Sequence, residues 1–184
     1  MKTFPFPVSI RTTRLHLRQW QDKDLAPFAA LNADPEVTQF FPAPLTQEQS
    51  NTMARRCQSL IDERGWGLWA VESLQSKAFV GMIGLHIPTA PLPFAPCVEI
   101  GWRLGKEHWG NGYATEGAIA ALEVAFRDIE LEEVVAFTSV HNTKSEAVMQ
   151  RIGMKRDEHT FAHPAVSSDN WLSQHCLYRI GKQV

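Results

Sequence analysis

The chain has 184 residues, of which 44% are hydrophobic and 21% are charged, and its formal net charge at pH 7 is −2. This length predicts a single domain, residues 1–184, with a core large enough to fold without disulfides or metals. The low net charge and the lack of any run of lysines or arginines argue against nucleic acid as a partner, and no apolar run approaches the roughly 18 residues of a membrane span.

The N-terminal segment and the cysteines both favour a cytoplasmic location. Pro5 and Pro7 interrupt the segment, and no apolar run of signal-peptide length follows them. Cys57, Cys97 and Cys176 lie far apart and form no C-x-x-C pair of the kind that binds zinc or performs redox chemistry. An odd number of scattered cysteines fits a reducing compartment, so we expect small, half-buried hydrophobic residues and no metal.

In chain order, the first predicted elements are a strand and a short helix. Residues 13–20, TRLHLRQW, alternate in polarity as a half-buried strand does. Asp22 is a candidate cap for the helix that follows, and Pro35 closes that helix.

A longer helix comes next, and both of its ends have sequence signals. Thr46 is followed three residues later by Gln49, which is the spacing of a capping box, and Gly65 is a stop signal. Three strand-like runs follow, separated by the polar LQSK turn and the proline-rich PTAPLPFAP loop. They are residues 66–73, 78–87 and 97–104.

The second half of the chain alternates helices and strands. A helix from about Tyr113 to Phe126 has an apolar stripe at helical spacing. A strand at 133–140 and a helix at 143–153 follow, and residues 154–161 and 175–181 form a closing pair of strands. Strands outnumber helices and come largely in succession, which predicts an α+β fold with a mixed, mostly antiparallel sheet and helices packed on it.

Small residues mark the start of the third predicted helix, in the segment HWGNGYATEGA at 108–118. A helix N-terminus presents unpaired N–H groups, and Gly110, Gly112 and Ala114 would let a phosphate-bearing ligand reach them. The P-loop signature is absent, and Thr115 stands where a dinucleotide fingerprint requires its third glycine. A glycine turn needed only for packing is the alternative.

The segment WGNGYATE after the strand CVEIGWRL, followed by VHNTKSEAVMQRIGMKR, resembles the GNAT superfamily of acetyl-CoA-dependent N-acetyltransferases. It is most similar to the ribosomal-protein N-terminal acetyltransferase-like branch, of RimJ/RimL type. The resemblance extends from TTRLHLRQW and NADPEVTQFFP to FAHPAV and HCLYRI, which is nearly the whole chain. It implies a GNAT-type α+β fold, acetyl-CoA as co-substrate without a metal, and direct transfer to an amine, with a backbone N–H stabilising the oxyanion.

The resemblance implies where the coenzyme binds. The family's loop pattern falls on Trp109, Gly112 and Ala114, and its amides bind the pyrophosphate of coenzyme A. Trp109 replaces the usual Arg or Gln, so the amides carry the binding. The implied coenzyme site comprises Trp102, Arg103, Leu104, Trp109, Gly110, Asn111, Gly112, Tyr113, Ala114, Thr115, Asn142 and Ser145.

Two residues near the next helix are candidates for contact with the coenzyme arm. Asn142 matches the family's Asn that opens this helix, and by chemistry alone it is also a helix cap. Met149 stands where many members have a tyrosine that protonates the departing thiolate. Ser145 is the nearest hydroxyl, and we predict that it bonds the sulfur and acts as general acid, directly or through water. A serine without a role is the alternative.

The general base has several candidates. Glu99 lies within an otherwise apolar strand. Burying a carboxylate there is unfavourable unless it has a partner or a catalytic role. Its position resembles that of the base in some GNAT members, and a structural ion pair with Arg103 is the alternative. His163 and His175, in the C-terminal segment, could serve at an ordinary pKa, and a packing or surface role is the alternative for each. Cys97 as a covalent nucleophile is disfavoured because the sequence places no histidine beside it.

The predicted acceptor is a protein or peptide N-terminal amine. An α-amine has a pKa of about 7.7–8.0 against about 10.4 for lysine, so it demands less of a base. There are two alternatives: the acceptor is a small amine, or the protein is a non-catalytic sensor that binds the coenzyme. We expect the protein to be a monomer or a homodimer. The expected pocket residues, unless they form a mere satellite hydrophobic cluster, are Phe40, Phe41, Phe161, His163 and Trp171.

Overall fold

The computed structural model describes residues 9–182, so the prediction based on Pro5 and Pro7 lies outside the described residues. Within this range the strands are β1 (Ile10–Arg11), β2 (Leu15–Arg18), β3 (Leu68–Ser73), β4 (Phe79–His86), β5 (Glu99–Leu104), β6 (Glu133–Ser139), β7 (Lys155–Arg156), β8 (Phe161–Ala162) and β9 (Gln174–Gly181). The helices are α1 (Asp22–Ala33), α2 (Gln47–Arg64), α3 (Tyr113–Arg127) and α4 (Thr143–Arg151), with a 3₁₀ turn at Lys106–His108.

All the strands belong to one sheet, in the order β1-β2-β3-β4-β5-β6-β9-β7, with β8 also paired to β9. Neighbours are antiparallel except β5 and β6, which are parallel. Strands β5 and β6 are aligned at one pair of residues, Glu99 and Val135. The two strands are therefore joined near the start of β5, and their carboxyl ends are not paired with each other in the described sheet.

Helices α3 and α1 pack on opposite faces of the sheet. A Cβ added to Gly117 of α3 would lie 2.5 Å from Cδ1 of Ile83, so this glycine allows close contact with β4. Ile83 is paired with Trp102 of β5, whereas the next residue, Arg103, bonds to Asn32 of α1. Because successive side chains of a strand point to opposite faces, the two helices lie on opposite sides.

The predicted α+β fold with a mostly antiparallel sheet is confirmed, and α2 begins and ends where its signals predict. Thr46 Oγ1 accepts from the Gln49 N–H at 3.2 Å, and Gln49 Oε1 accepts from the Thr46 N–H at 2.9 Å. Gly65 caps the other end with φ of 84°.

The ends of α1 differ from the prediction. The cap is Gln21 instead of Asp22, and the Gln21 N–H donates to Asp24 Oδ2 at 2.8 Å. The helix stops at its C-terminal cap Asp34, whose ψ is 118°. A residue that precedes a proline is pushed out of the helical region, so Pro35 ends the helix earlier than expected.

The second predicted closing strand is confirmed as β9, and the first is divided. In place of one strand over residues 154–161 there are two two-residue strands, β7 and β8, of which β8 extends to Ala162, and they pair with different parts of β9. Strand β1 and the 3₁₀ turn were not predicted, because two or three residues are too short to show a periodic pattern.

Further sequence expectations concern cysteines, metals and membranes. All three cysteines are free thiols, and Cys57 and Cys176 are buried, whereas Cys97 is half-buried as expected. In residues 9–182 no cluster of three or more His, Cys, Asp or Glu side chains is placed to hold a metal ion. No helix in that range has the length and apolar character needed to cross a bilayer.

Candidate active site

Two glycines in the left-handed region shape the loop that leads into α3. Gly110 has φ of 75° and Gly112 has φ of 76°, a conformation that side chains with a Cβ rarely adopt. A Cβ at Gly110 would meet nothing within 4 Å, and one at Gly112 would meet only Arg14 Nη2 at 3.5 Å. The glycines are therefore required by backbone conformation, and the space beside them is open to a ligand.

The backbone amides of residues 110–115 have no hydrogen-bond acceptor among the described residues. The first helical bond in this region runs from the Glu116 N–H to the Gly112 carbonyl, at 3.0 Å. Unpaired N–H groups at the positive end of a 15-residue helix are a strong site for an anion. The loop can hold a phosphate-bearing ligand without using a side chain.

The side chains of this loop brace its backbone. Trp109 Nε1 donates to the Leu104 carbonyl at 3.0 Å, and Asn111 Nδ2 donates to the His108 and Trp109 carbonyls at 3.1 Å each. The polar groups of Trp109 and Asn111 are thus engaged within the loop. Their part in a coenzyme site would be to fix the shape of the loop.

Arg14, which the sequence analysis did not single out, ties the loop to the first part of the sheet. Its Nη1 donates to the Asn111 carbonyl at 2.8 Å, and its Nε forms an ion pair with Glu116 Oε2 at 2.6 Å. Arg14 and Glu116 are 102 positions apart, and no local signal in the sequence links them.

Asn142 caps α4 with both of its polar atoms in use. Its Oδ1 accepts from the Ser145 N–H at 3.2 Å, and its Nδ2 donates to Thr138 Oγ1 at 3.0 Å. The cap interpretation is therefore correct, and a ligand contact would have to share these atoms. Ser145 is half-buried, and its hydroxyl has no hydrogen-bond partner among the residues described.

Lys144 joins the start of α4 to the glycine loop. Its Nζ lies 4.4 Å from the centre of the Trp109 ring, a cation–π contact. Since β5 leads into the loop and β6 leads into α4, the N-termini of α3 and α4 lie on either side of the opening between the two strands. The loop residues and the start of α4 from the predicted coenzyme site flank this opening, whereas the side chain of Arg103, also predicted to bind the coenzyme, bonds to Asn32 of α1 on the other face of the sheet.

Glu99 is paired, but with His86 and not with Arg103. His86 Nε2 lies 2.8 Å from Glu99 Oε2, across the aligned residues of β4 and β5. Burial raises the pKa of Glu99, and the hydrogen bond from His86 acts in the opposite direction. Counting back along the two antiparallel strands from their shared loop would have suggested His86 as a partner.

His163 and His175 lie together, with ring centres 4.8 Å apart. Burial lowers the pKa of His175 to about 4 and lowers that of His163 as well. The expectation of an ordinary pKa is therefore wrong, because His175 is buried and His163 is half-buried. His175 Nδ1 also lies 3.3 Å from the Ser173 carbonyl.

The predicted pocket aromatics fall into separate groups. Phe161 packs against Phe94 and Phe137, at ring-centre distances of 5.0 and 5.8 Å, beside the two histidines. Phe40 contacts Trp171 at 6.2 Å, and the Phe41 ring lies against the Arg103 guanidinium at 3.9 Å. Phe94 and Phe137 were not predicted, since they lie in a loop and on a strand without a distinctive pattern.

Cys97 has no features of a nucleophile. It is half-buried, and burial and the nearby Glu99 carboxylate raise the pKa of its thiol. A raised pKa keeps the thiol protonated at neutral pH, and the thiolate is the reactive form.

Comparison with known proteins is consistent with this geometry. The family model described as an acetyltransferase (GNAT) domain matches residues 14–155. The uncharacterized protein YkkB of Bacillus subtilis is 32% identical over 146 residues, which cover 78% of this chain and 83% of YkkB. A GNAT-family acetyltransferase from Bacillus anthracis has a TM-score of 0.78 and 25% identity, covering 95% of this chain and 98% of that chain.

Two solved structures with bound coenzyme share the fold. Spermidine N-acetyltransferase from Vibrio cholerae, in complex with CoA and spermine, has a TM-score of 0.72 and 20% identity, covering 93% of this chain and 97% of its own. RimL, a ribosomal L7/L12 alpha-N-protein acetyltransferase in complex with coenzyme A, has a TM-score of 0.73 and 18% identity, with coverages of 94% and 97%.

Proposed function

Because the chain belongs to the GNAT family of acetyltransferases, we propose that it takes an acetyl group from acetyl-CoA and transfers it to the N-terminal amine of a protein or peptide. We assign it to the RimJ/RimL-type branch, whose member RimL has the same fold. The observation that carries the coenzyme proposal is the row of unpaired amides at residues 110–115 beside two left-handed glycines.

The residues of the loop fit the phosphates of coenzyme A. Several N–H groups can each donate to a phosphate oxygen, and a hydrogen bond to a charged group contributes about 1.5–3 kcal/mol. Lys144, held against the Trp109 ring, adds a positive charge at the same opening. Bound acetyl-CoA would supply an activated thioester, and the protein would orient it through Gly110 to Thr115.

Glu99 is our candidate for the general base. Its carboxylate is largely removed from water and has one partner, and burial raises its pKa towards the working range of a base. It would accept the proton that the amine loses, directly or through a water molecule. His175 is the second candidate, although a pKa of about 4 makes it a weaker base at neutral pH.

Ser145 is our candidate for the general acid. Its hydroxyl is half-buried in the first turn of α4 and is free of intramolecular bonds in the described structure. It would donate its proton towards the departing sulfur and recover one from solvent. Met149 offers no such proton, because a thioether has none to give.

The proposed acceptor is an α-amine. An α-amine fits the proposed base because a larger fraction of it is neutral at pH 7 than of a lysine. RimL acts on a protein N-terminus and the Vibrio cholerae enzyme is a spermidine acetyltransferase, so the fold accommodates both kinds of acceptor. The free cysteines support action in a reducing compartment, the cytoplasm.

The test is an assay for free thiol released from acetyl-CoA over a panel of N-terminal peptides and small amines. We expect turnover with peptides, loss of turnover in Glu99→Gln, and unchanged affinity of that variant for coenzyme A. Turnover only with small amines would replace the acceptor proposal. Coenzyme binding without turnover on any amine would contradict the enzyme proposal and favour a sensor.

A further inference from the structure

Arg103 points away from the coenzyme loop, towards the face of the sheet on which α1 packs. Its Nη1 donates to Asn32 Oδ1 at 2.5 Å, and its guanidinium carbon lies 3.9 Å above the Phe41 ring. Asn32 is in turn fixed by its bond to Ser50 of α2, at 2.9 Å. The guanidinium is thus held in one place by groups that carry no charge.

Within residues 9–182, Arg103 has no negatively charged partner. No carboxylate of residues 9–182 is paired with its guanidinium, and Cys57 is the one charged or ionisable side chain that acts on it there. Its Nε is buried without a hydrogen bond in the described structure, and burial lowers its pKa to about 10. Other arginines near the sheet are paired with carboxylates, among them Arg18 and Arg179.

An unpaired arginine of this kind is costly. Arg103 as a whole is half-buried, but its Nε is removed from water, and burying part of a guanidinium without a counter-charge is unfavourable unless a ligand supplies that charge. The planar guanidinium is suited to bind a carboxylate through two parallel hydrogen bonds. The missing partner of Arg103 is therefore expected to be an anionic group that arrives with a ligand.

The same face of β5 connects Arg103 to the proposed base. Glu99, Gly101 and Arg103 alternate along the strand, so their side chains share a face, with about 13 Å between the first and last Cα atoms. A Cβ at Gly101 would meet nothing within 4 Å, so the middle of this row is open. An acceptor can lie over Gly101 with its anionic group at Arg103 and its amine directed towards Glu99, and a small acceptor would pass its proton to Glu99 through a water molecule.

We propose that the acceptor is an amine that also carries a carboxylate, and that Arg103 binds this carboxylate and thereby determines specificity. The carboxylate belongs either to a free amino acid or to an acidic residue close to the amino end of a peptide. The inference rests on the proposed function and excludes a polyamine, because Arg103 would repel a second ammonium group.

The experiment compares matched acceptors that differ only in this charge. One pair is a free amino acid and its carboxamide, and the other is a pair of peptides with Glu or Gln as the second residue. We expect kcat/KM to favour the carboxylate member about tenfold to a hundredfold in one pair, the range expected for a charge-assisted bond. The pair that shows the preference identifies the source of the carboxylate.

Variants separate this role from a structural one. In Arg103→Gln the preference should fall to about one, with the KM for acetyl-CoA unchanged, and Arg103→Lys should recover part of it. Arg55→Gln, which removes an exposed ion pair with Asp22, is the matched control and should keep the preference. Equal loss of activity towards both members of each pair would mean that Arg103 only holds α1 to the sheet.

The remaining outcomes distinguish this inference from the proposed function. Turnover without any preference in the wild-type protein overturns the carboxylate inference and leaves the acetyltransferase proposal intact. If no amine is turned over, calorimetry of the CoA-loaded protein with an N-acetyl amino acid decides. Weaker binding to Arg103→Gln than to wild type supports the carboxylate site, and equal binding or none overturns it.

Discussion

Glu99 and His86 form a pair in which the His86 hydrogen bond opposes the effect of burial on Glu99. Burial and the His86 hydrogen bond act on the pKa of Glu99 in opposite directions, and burial is the larger influence. Neither effect is visible in the sequence segment CVEIGWRL, because His86 lies on the preceding strand. The predicted alternative to a catalytic role, an ion pair with Arg103, named the right kind of interaction but the wrong partner.

Removing His86 should change the pH dependence of activity. In His86→Ala only burial acts on Glu99, so the pKa of Glu99 rises further. If ionised Glu99 is the base, the acid limb of the kcat/KM profile moves to higher pH. His86→Gln keeps a hydrogen-bond donor and should move the limb less. An acid limb that stays in place in both variants would mean that another group is the base.

His175 should make the fold sensitive to mild acid. Its pKa is about 4 in the folded protein and 6.5 without burial, so the unfolded state binds more protons between these values. The contribution of His175 is fully present above pH 6.5 and is lost as the pH falls towards 4. When the pH is lowered from 7 to 5, the decrease in the free energy of unfolding should be about 1–2 kcal/mol smaller in His175→Gln than in wild type.

Urea unfolding at the two pH values measures this difference. His159→Gln, at an exposed position, is the matched control and should behave as wild type. A pH dependence of unfolding that is the same in His175→Gln and wild type would contradict the burial of a neutral imidazole.

At the scale of elements, Asn142 connects a helix cap to the proposed coenzyme site. Asn142→Ala removes the bond to the Ser145 N–H and should cost about 1 kcal/mol. Asn142→Asp keeps that acceptor, so it should retain most of the stability while losing the donor to Thr138. Urea unfolding and coenzyme titration of both variants separate the two roles. Full coenzyme affinity in both would restrict Asn142 to capping.

Gly112 is predicted to serve both backbone conformation and ligand approach. Gly112→Ala forces a residue with a Cβ to φ near 76°, at a cost of about 1 kcal/mol, and places a methyl group where the coenzyme would lie. Gly153→Ala is the control, since φ is 85° there at the far end of α4 and the nearest atom to an added Cβ is 3.9 Å away. We expect similar losses of stability and a loss of coenzyme affinity in Gly112→Ala only.

Elements were predictable where the signals are local. Thr46, Gln49 and Gly65 lie within or beside α2 and fix both its ends. The N-terminal end of α1 was not predictable to the residue, since Gln21 and Asp22 are both possible caps. The division of the first closing strand into β7 and β8 follows from pairing with β9, whose residues lie 12 or more positions further along the chain.

At the scale of the molecule, the parallel pairing of β5 and β6 organises the proposed site. It places the N-termini of α3 and α4 next to the carboxyl ends of β5 and β6, and these two carboxyl ends are not paired with each other in the described sheet. The sequence predicted the segments that meet there, because each has its own pattern of glycines, caps and alternation. It did not predict Arg14 or Lys144, whose partners Glu116 and Trp109 are brought near only by the folded sheet.

The central claim is that the backbone amides of residues 110–115 bind the phosphates of the coenzyme. An NMR titration of the ¹⁵N-labelled protein with coenzyme A observes these amides directly. We expect the amides of this loop to shift downfield together as the coenzyme saturates the protein, since each gains a charged acceptor. Binding that leaves these signals unchanged, or no binding at all, would contradict the claim.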